Sequence, residues 1–310
     1  MLLVGSLTLA ACGSNDEVGG SAATASTDGL GHGSAVARRD HREEERMSNE
    51  VGGAERLEAA RPAPFLETRD LSKRYDHVVA LEAVDATVRE GEVVAVVGDN
   101  GAGKSTFISM LSGLNQPDAG EILIDGQQVT LDSPSAAHRV GIATVFQDLA
   151  LINELDVAAN LFLGQERRRL GMLADRRRML DESSALISRL RVGLPSVRAL
   201  ASELSGGQRQ AVAVARAVLR GSRLLLMDEP TAALGIRESR RVLNLIRELR
   251  EEGHAVIVIS HNIADVFELA DRAMVFRLGR KVADLSIRET TRDHVVGLIV
   301  GADDQAGAHA

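Results

Sequence analysis

The chain has no tryptophan, one tyrosine (Tyr75), one cysteine (Cys12) and six prolines in 310 residues. One cysteine excludes an internal disulfide framework and a cysteine-built zinc site. The dearth of aromatics removes the stacking platform that holds single-stranded nucleic acid. Positive charge is also short, with 36 Lys and Arg against 44 Asp and Glu, a formal net charge of -8 and a pI of about 5.6. That balance argues against nucleic acid as a partner. No apolar run reaches the roughly 18 residues of a membrane-crossing helix. What is present is ordinary for a globular chain, 45% hydrophobic and 26% charged, enough for one large or two modest domains.

The most informative run is Gly98 to Thr106, GDNGAGKST. It satisfies G-x-x-x-x-G-K-[ST], the phosphate-binding P-loop. The apolar run Val93–Val97 precedes it as a candidate strand, and Phe107–Leu111 follows as a candidate helix. Gly98, Asn100, Gly101, Ala102, Gly103 and Thr106 then belong to a loop whose N–H groups cradle phosphate oxygens. Lys104 can reach the outer phosphates and the Ser105 hydroxyl can ligate Mg²⁺. Downstream, the apolar strand candidate Leu224–Met227 closes in Asp228-Glu229. This is the Walker B pattern, in which Asp228 orients Mg²⁺, directly or through water, and Glu229 polarises the attacking water. A third run, Leu204 to Gln210 (LSGGQRQ), places Ser205 as a cap on a helix beginning near Gln208. Gly206 and Gly207 allow close backbone approach, and the helix end presents positive potential to an anion.

Around these motifs the pattern alternates between strand and helix. Phe65–Tyr75 reads as a short strand and turn, and His77–Thr87 as an edge sheet. Glu121–Ile124 is a strand, Asp125-Gly126 a hairpin turn, and Ile142–Phe146 a further strand. The segment 148–204 is arginine-rich and predicts a helix-rich insert, broken at Gly171 and Gly193-Leu194-Pro195. Ala255–Ile259 is a continuous apolar strand, Glu238–Glu251 an amphipathic helix, and Arg272–Phe276 with Lys281–Leu285 a hairpin. The tail from Gly301 is expected to fray. No internal repeat is visible, so one nucleotide module is expected, spanning 64–300.

The first residues differ in character. Leu2–Ala11 ending in Cys12 resembles the lipobox of exported lipoproteins, but no Lys or Arg precedes it. Met47 opens a conventional lead before the first strand, and purine-rich codons are implied just upstream. Translation is expected to start at Met47, with residues 1–63 disordered.

GDNGAGKST, LSGGQRQ and MDEPT together resemble the ATP-binding cassette (ABC) ATPases, over about Pro64 to Val300. The resemblance implies an α/β P-loop NTPase fold with a RecA-like core, an antiparallel β subdomain and a helical insert. It also implies ATP and Mg²⁺ as ligands and ATP hydrolysis as the reaction. Two cassettes would pair head-to-tail, with Ser205, Gly206, Gly207 and Gln208 of one closing over ATP on Lys104 of the other. Carried over residue by residue, Tyr75 resembles the aromatic that stacks on adenine. Gln147 resembles the Q-loop residue that senses Mg²⁺ and the attacking water. His261 resembles the switch histidine that contacts the terminal phosphate. Gly235 departs from the family, which usually has Asp there at the interface between cassettes.

Phe146 to Gly164, ending Asn-Leu-Phe-Leu-Gly, resembles the importer ATPases for simple sugars of the ribose, xylose and fructose type. The partners implied are a second copy of the chain and two membrane permease subunits. A periplasmic or lipid-anchored sugar-binding protein is implied indirectly, and no nucleic acid. The implied location is the cytoplasmic face of the bacterial inner membrane, held peripherally. The alternatives are an ATPase for another transported substrate, an exporter, or a soluble cassette outside transport.

Overall fold

Every residue of Ala255–Ile259 is buried, as are Leu224, Leu225, Leu226 and Met227. Such runs suit strands covered on both faces. In the computed structural model, which describes residues 63–169 and 173–302, they lie in a six-stranded sheet. In chain order the principal strands are β1 (Leu66–Tyr75), β2 (Val78–Val88), β3 (Val93–Gly98), β4 (Ala119–Ile124), β5 (Gln127–Val129) and β6 (Ile142–Val145). After the short pair β7 (Arg168–Arg169) and β8 (Leu173–Ala174) come β9 (Leu224–Asp228), β10 (Ala255–Ile259), β11 (Arg272–Arg277) and β12 (Arg280–Ser286). The core sheet has the order β12-β11-β3-β10-β9-β6. All of it is parallel except β12, which forms the expected hairpin with β11. A second, antiparallel sheet has the order β2-β1-β4-β5.

The helices are α1 (Lys104–Leu111), α2 (Pro134–Arg139), α3 (Val157–Phe162), α4 (Arg176–Arg189), α5 (Gly206–Leu219), α6 (Ile236–Glu251), α7 (Ile263–Leu269) and α8 (Arg292–Val300). Alternation along β10 divides the core. Val256 and Val258 pack with Val212 of α5 and Val242, Leu243 and Ile246 of α6. Ala255, Ile257 and Ile259 pack with Phe107 and Met110 of α1 and with Leu66, Leu81 and Ile122 of the antiparallel sheet. Burying each of these Val and Ile side chains contributes about 1.5–3 kcal/mol. Arg223 joins the two sheets, with Nη1 on Asp125 at 2.6 Å, Nε on Glu90 at 2.7 Å and its guanidinium 4.3 Å from the Phe65 ring.

Several elements differ from the sequence reading. Phe65–Tyr75 is mostly one long strand of ten residues. The helical insert holds α3, α4 and a 3-10 turn at Ala201–Glu203 among its described residues, joined by irregular stretches. A polar side chain organises much of the rest. Asn160 is buried, accepts from Ile152 N–H at 2.8 Å and donates to the carbonyls of Ile152, Leu155 and Asp156 at 3.0, 3.2 and 3.1 Å. Helices α2, α7 and α8 were not expected. Each starts at a polar cap, where Ser133, Asn262 and Thr291 accept from the N–H groups of Ala136, Ala264 and His294. Gly301 ends α8 in a left-handed conformation, φ 77°. The expectations for Cys12, Met47, the leading segment, Gly171 and residues 303–310 lie outside the described residues.

Candidate functional site

The register of the core sheet brings the motifs to one edge. Gly98 at the end of β3 lies opposite Phe276, and Ile259 of β10 lies opposite both Val96 and Asp228. Val145 of β6 is opposite Met227. The loops beyond these strand ends carry the P-loop, Gln147, Glu229 and His261. Open α/β sheets bind ligands at this carboxyl edge.

The P-loop leaves β3 at Gly98 and enters α1 at Lys104. Gly103 has φ 104°, and a Cβ there would stand 2.7 Å from the Ala80 carbonyl oxygen, so the loop packs directly on β2. The β11–β12 turn braces both: Gly279 N–H donates to Ala102 O at 3.1 Å, and Gly279 O accepts from Glu82 N–H at 2.8 Å. Sequence reasoning found that hairpin but not its support of the loop. Lys104 Nζ donates to the carbonyls of Gly98 and Asp99, each at 2.7 Å. Burial lowers the Lys104 pKa, against the opposing pull of Asp99, Glu229 and Asp228. Ser105, Asn100 and Gly101 are exposed, Thr106 is half-buried and Ala102 buried.

Asp228 is half-buried, and its carboxyl is raised above the usual range by burial first and then by the charge of Glu229, with Lys104 opposing. An ionised acid so placed is stabilised by a cation. Asp228 and the exposed Ser105 hydroxyl therefore suit Mg²⁺, which takes one or two carboxylates and completes its shell with phosphates and water. Among the described residues no group of three or more His, Cys, Asp or Glu forms a cage of its own.

Glu229 has φ 48°, a left-handed conformation rare outside glycine. Its N–H donates to Ile259 O at 3.0 Å, and its Oε1 meets His261 Nδ1 at 2.9 Å. The sheet thus joins the Walker B acid to the histidine of the neighbouring strand end. Gln147 is exposed beyond Val145 and Phe146. Tyr75 closes the β1–β2 hairpin opposite Val78, is 41% exposed, and has Lys73 Nζ 5.6 Å from its ring centre.

The signature run keeps different company. Helix α5 starts at Gly206 rather than near Gln208. Ser205 is at the cap position, but its Oγ makes no cap hydrogen bond; instead Gln208 Oε1 accepts from Ser205 N–H at 3.0 Å. Gln208 Nε2 donates to Gly193 O of the insert at 2.8 Å. The paired glycines serve an intrachain approach: a Cβ on Gly206 would meet Leu234 Cδ2 at 2.8 Å, and one on Gly207 would meet Glu238 Cβ at 3.0 Å.

Comparison with known proteins bears on this arrangement. The ABC transporter family model matches residues 81–232. The fructose import ATP-binding protein FrcA of Rhizobium meliloti is 44% identical over 248 residues, 78% of this chain and 95% of that protein. The xylose/arabinose import ATP-binding protein XylG of Sulfolobus acidocaldarius is 44% identical, over 74% of this chain and 92% of that protein. A ribose import ATP-binding protein of Rubrobacter xylanophilus is 43% identical, and there the match spans 47% of its length. Among solved structures, a dimeric ATP-binding cassette in a post-hydrolysis state, bound to ADP and phosphate, superposes with a TM-score of 0.61 at 26% identity, over 73% of this chain and all of that one. A cassette from Clostridium perfringens, part of the cbiONQ transporter complex, gives 0.65 at 26% identity over 76% and 93%. With its P-loop, Walker B acids and signature on a shared RecA-like core, the chain belongs to the ABC transporter family as an ATP-hydrolysing cassette.

Proposed function

We propose that the chain powers import of a simple sugar, hydrolysing ATP in a head-to-tail pair of cassettes under two permease subunits. A periplasmic or lipid-anchored sugar-binding protein would deliver the cargo. The observation that carries the catalytic part is the Glu229–His261 contact, set at the strand edge beside Lys104 and Asp228. Lys104 leaves its two backbone carbonyls for the β- and γ-phosphates, and N–H groups of the loop and of α1 hold phosphate oxygens. Tyr75 stacks on the adenine. Asp228 and Ser105 hold Mg²⁺, with Gln147 nearby, and the bound ion supplies charge neutralisation at the transferred phosphoryl group. Glu229 orients and polarises the attacking water, and His261, whose Nδ1–H donates to Glu229 Oε1, fixes the direction of that carboxylate. Ser205 and the N–H groups of Gly206, Gly207 and Gln208 approach that phosphate from the second copy.

The sugar assignment draws on the import ATPases named above and on the Phe146–Gly164 stretch. Peripheral attachment at the cytoplasmic membrane face accords with the described helices, none of which is long and apolar enough to cross a membrane. A groove of about 270 Å³ beside Gln147, lined by Phe146, Asp148, His138, Arg216 and Arg220, suits a permease helix. Arg216 donates to Leu149 O and Ala150 O at 2.8 and 2.9 Å, and Arg220 to Leu163 O at 2.6 Å. His138 Nδ1 and Arg220 Nε are buried without partners. Such a floor favours carbonyls or an acidic side chain from the docking segment. The test is radiolabelled sugar uptake in a strain lacking the gene. Loss of uptake of one simple sugar, restored by the wild-type chain and not by Glu229→Gln, supports the reading. Unchanged uptake of all simple sugars refutes the sugar assignment.

A further inference from the structure

Gly235 stands where the family usually has an acid, yet an acid does reach this region from three residues further on. Glu238, in the first turn of α6, accepts from Gly235 N–H through Oε2 at 3.4 Å. The same Oε2 lies 3.9 Å from the position a Cβ on Gly206 would take. Ser205 Oγ is shut off from solvent. The Glu238 carboxyl is held below its usual range, by the Ser205 hydroxyl first and then by N–H groups of Gly235 and Gly207. An ionised acid therefore stands beside the hydroxyl and N–H groups at the positive end of α5, a helix of 14 residues.

We propose that Glu238 competes with ATP for the signature turn. In the unpaired chain its carboxylate neutralises the end of α5, and pairing over a nucleotide brings a second anion to that same end. The inference rests on the cross-chain reading of Ser205 given above. Pairing then demands more ATP than the turn alone would require, which holds the cassettes apart at low nucleotide. The plainer alternative is a capping box, in which Glu238 only satisfies the Gly235 N–H. Glutamine separates the two, because it keeps the accepting oxygen and loses the charge.

The test titrates Mg-ATP against full-length Glu229→Gln and Glu229→Gln/Glu238→Gln in sedimentation velocity at low salt. The ATP midpoint for dimer formation is expected to fall about fivefold or more in the double variant, as for one like charge removed a few ångströms from a phosphate. The difference should shrink at high salt. An unmoved or higher midpoint overturns the proposal while leaving the cross-chain reading standing. Absence of a dimer in either variant at saturating ATP overturns both. Glu238→Ala in the same background serves if the glutamine variant misfolds: it lowers the melting temperature through the lost cap, yet competition still predicts a lower ATP midpoint.

Discussion

Glu229 holds a backbone conformation that costs on the order of 1–3 kcal/mol for a non-glycine residue. The surrounding sheet enforces it through the Ile259 hydrogen bond and directs the side chain to His261. Glu229→Gln preserves shape and removes the proposed base, so turnover should drop about 100-fold or more while ATP still binds; phosphate release and nucleotide-binding assays read the two separately. Normal turnover would contradict the assignment. Asp228 gives a pH prediction. Its carboxyl binds a proton more tightly folded than unfolded. Stability therefore falls as pH rises from the ordinary Asp value through the raised one, and the ionised group opposes folding at neutral pH. Asp228→Asn should melt at a higher temperature than wild type without nucleotide, and should lose the further stabilisation that Mg-ATP gives. A lower melting temperature without nucleotide would count against the burial argument. Lys104, Asp228 and Glu229 were readable because their chemistry asks for contiguous runs at strand ends, and His261 was read only through the family resemblance. Glu238 and Gly279 were not, because each acts through a neighbour far away in sequence or on another element.

At the scale of elements, Gly207 of the signature sets how closely α5 approaches α6, while Gly206 faces Leu234 just before it. A Cβ at Gly207 would stand 3.0 Å from Glu238 Cβ and 3.4 Å from its Cα, so backbone must shift. Overpacking of this kind costs about 1–3 kcal/mol, offset by up to about 1 kcal/mol of helix propensity. Gly207→Ala should be less stable by about 1–2 kcal/mol in urea unfolding; equal or greater stability would show that the first turn of α6 yields freely. The strands and α6 were readable because continuous or periodic burial leaves a pattern in the chain. Between β6 and α3, side-chain hydrogen bonds from Asn160 take the place of regular backbone pairing. Hydrophobic periodicity carries no trace of that exchange. The missed helices α2 and α7 are short, six and seven residues, so their caps were the stronger signal.

For the whole molecule, the architecture was read from the family resemblance that three motifs carry; the P-loop and the Walker B acids lie at ends of the parallel strands, and the signature lies at the start of α5. What the folded chain adds is a division of labour. The P-loop is braced by β2 and the β11–β12 turn, whereas the signature turn leans on the insert and α6. The catalytic account therefore requires a second copy to bring a signature turn to each P-loop. The direct measurement uses a Cys12→Ser, Glu229→Gln background, with Asn100→Cys in one copy and Ser202→Cys in the other. Both are exposed and flank the P-loop and signature, respectively. After mixing with Mg-ATP and a short bis-maleimide, the account predicts ATP-dependent cross-linked heterodimers joined at those two cysteines. Cross-links that ignore ATP, or none at saturating nucleotide, would contradict it.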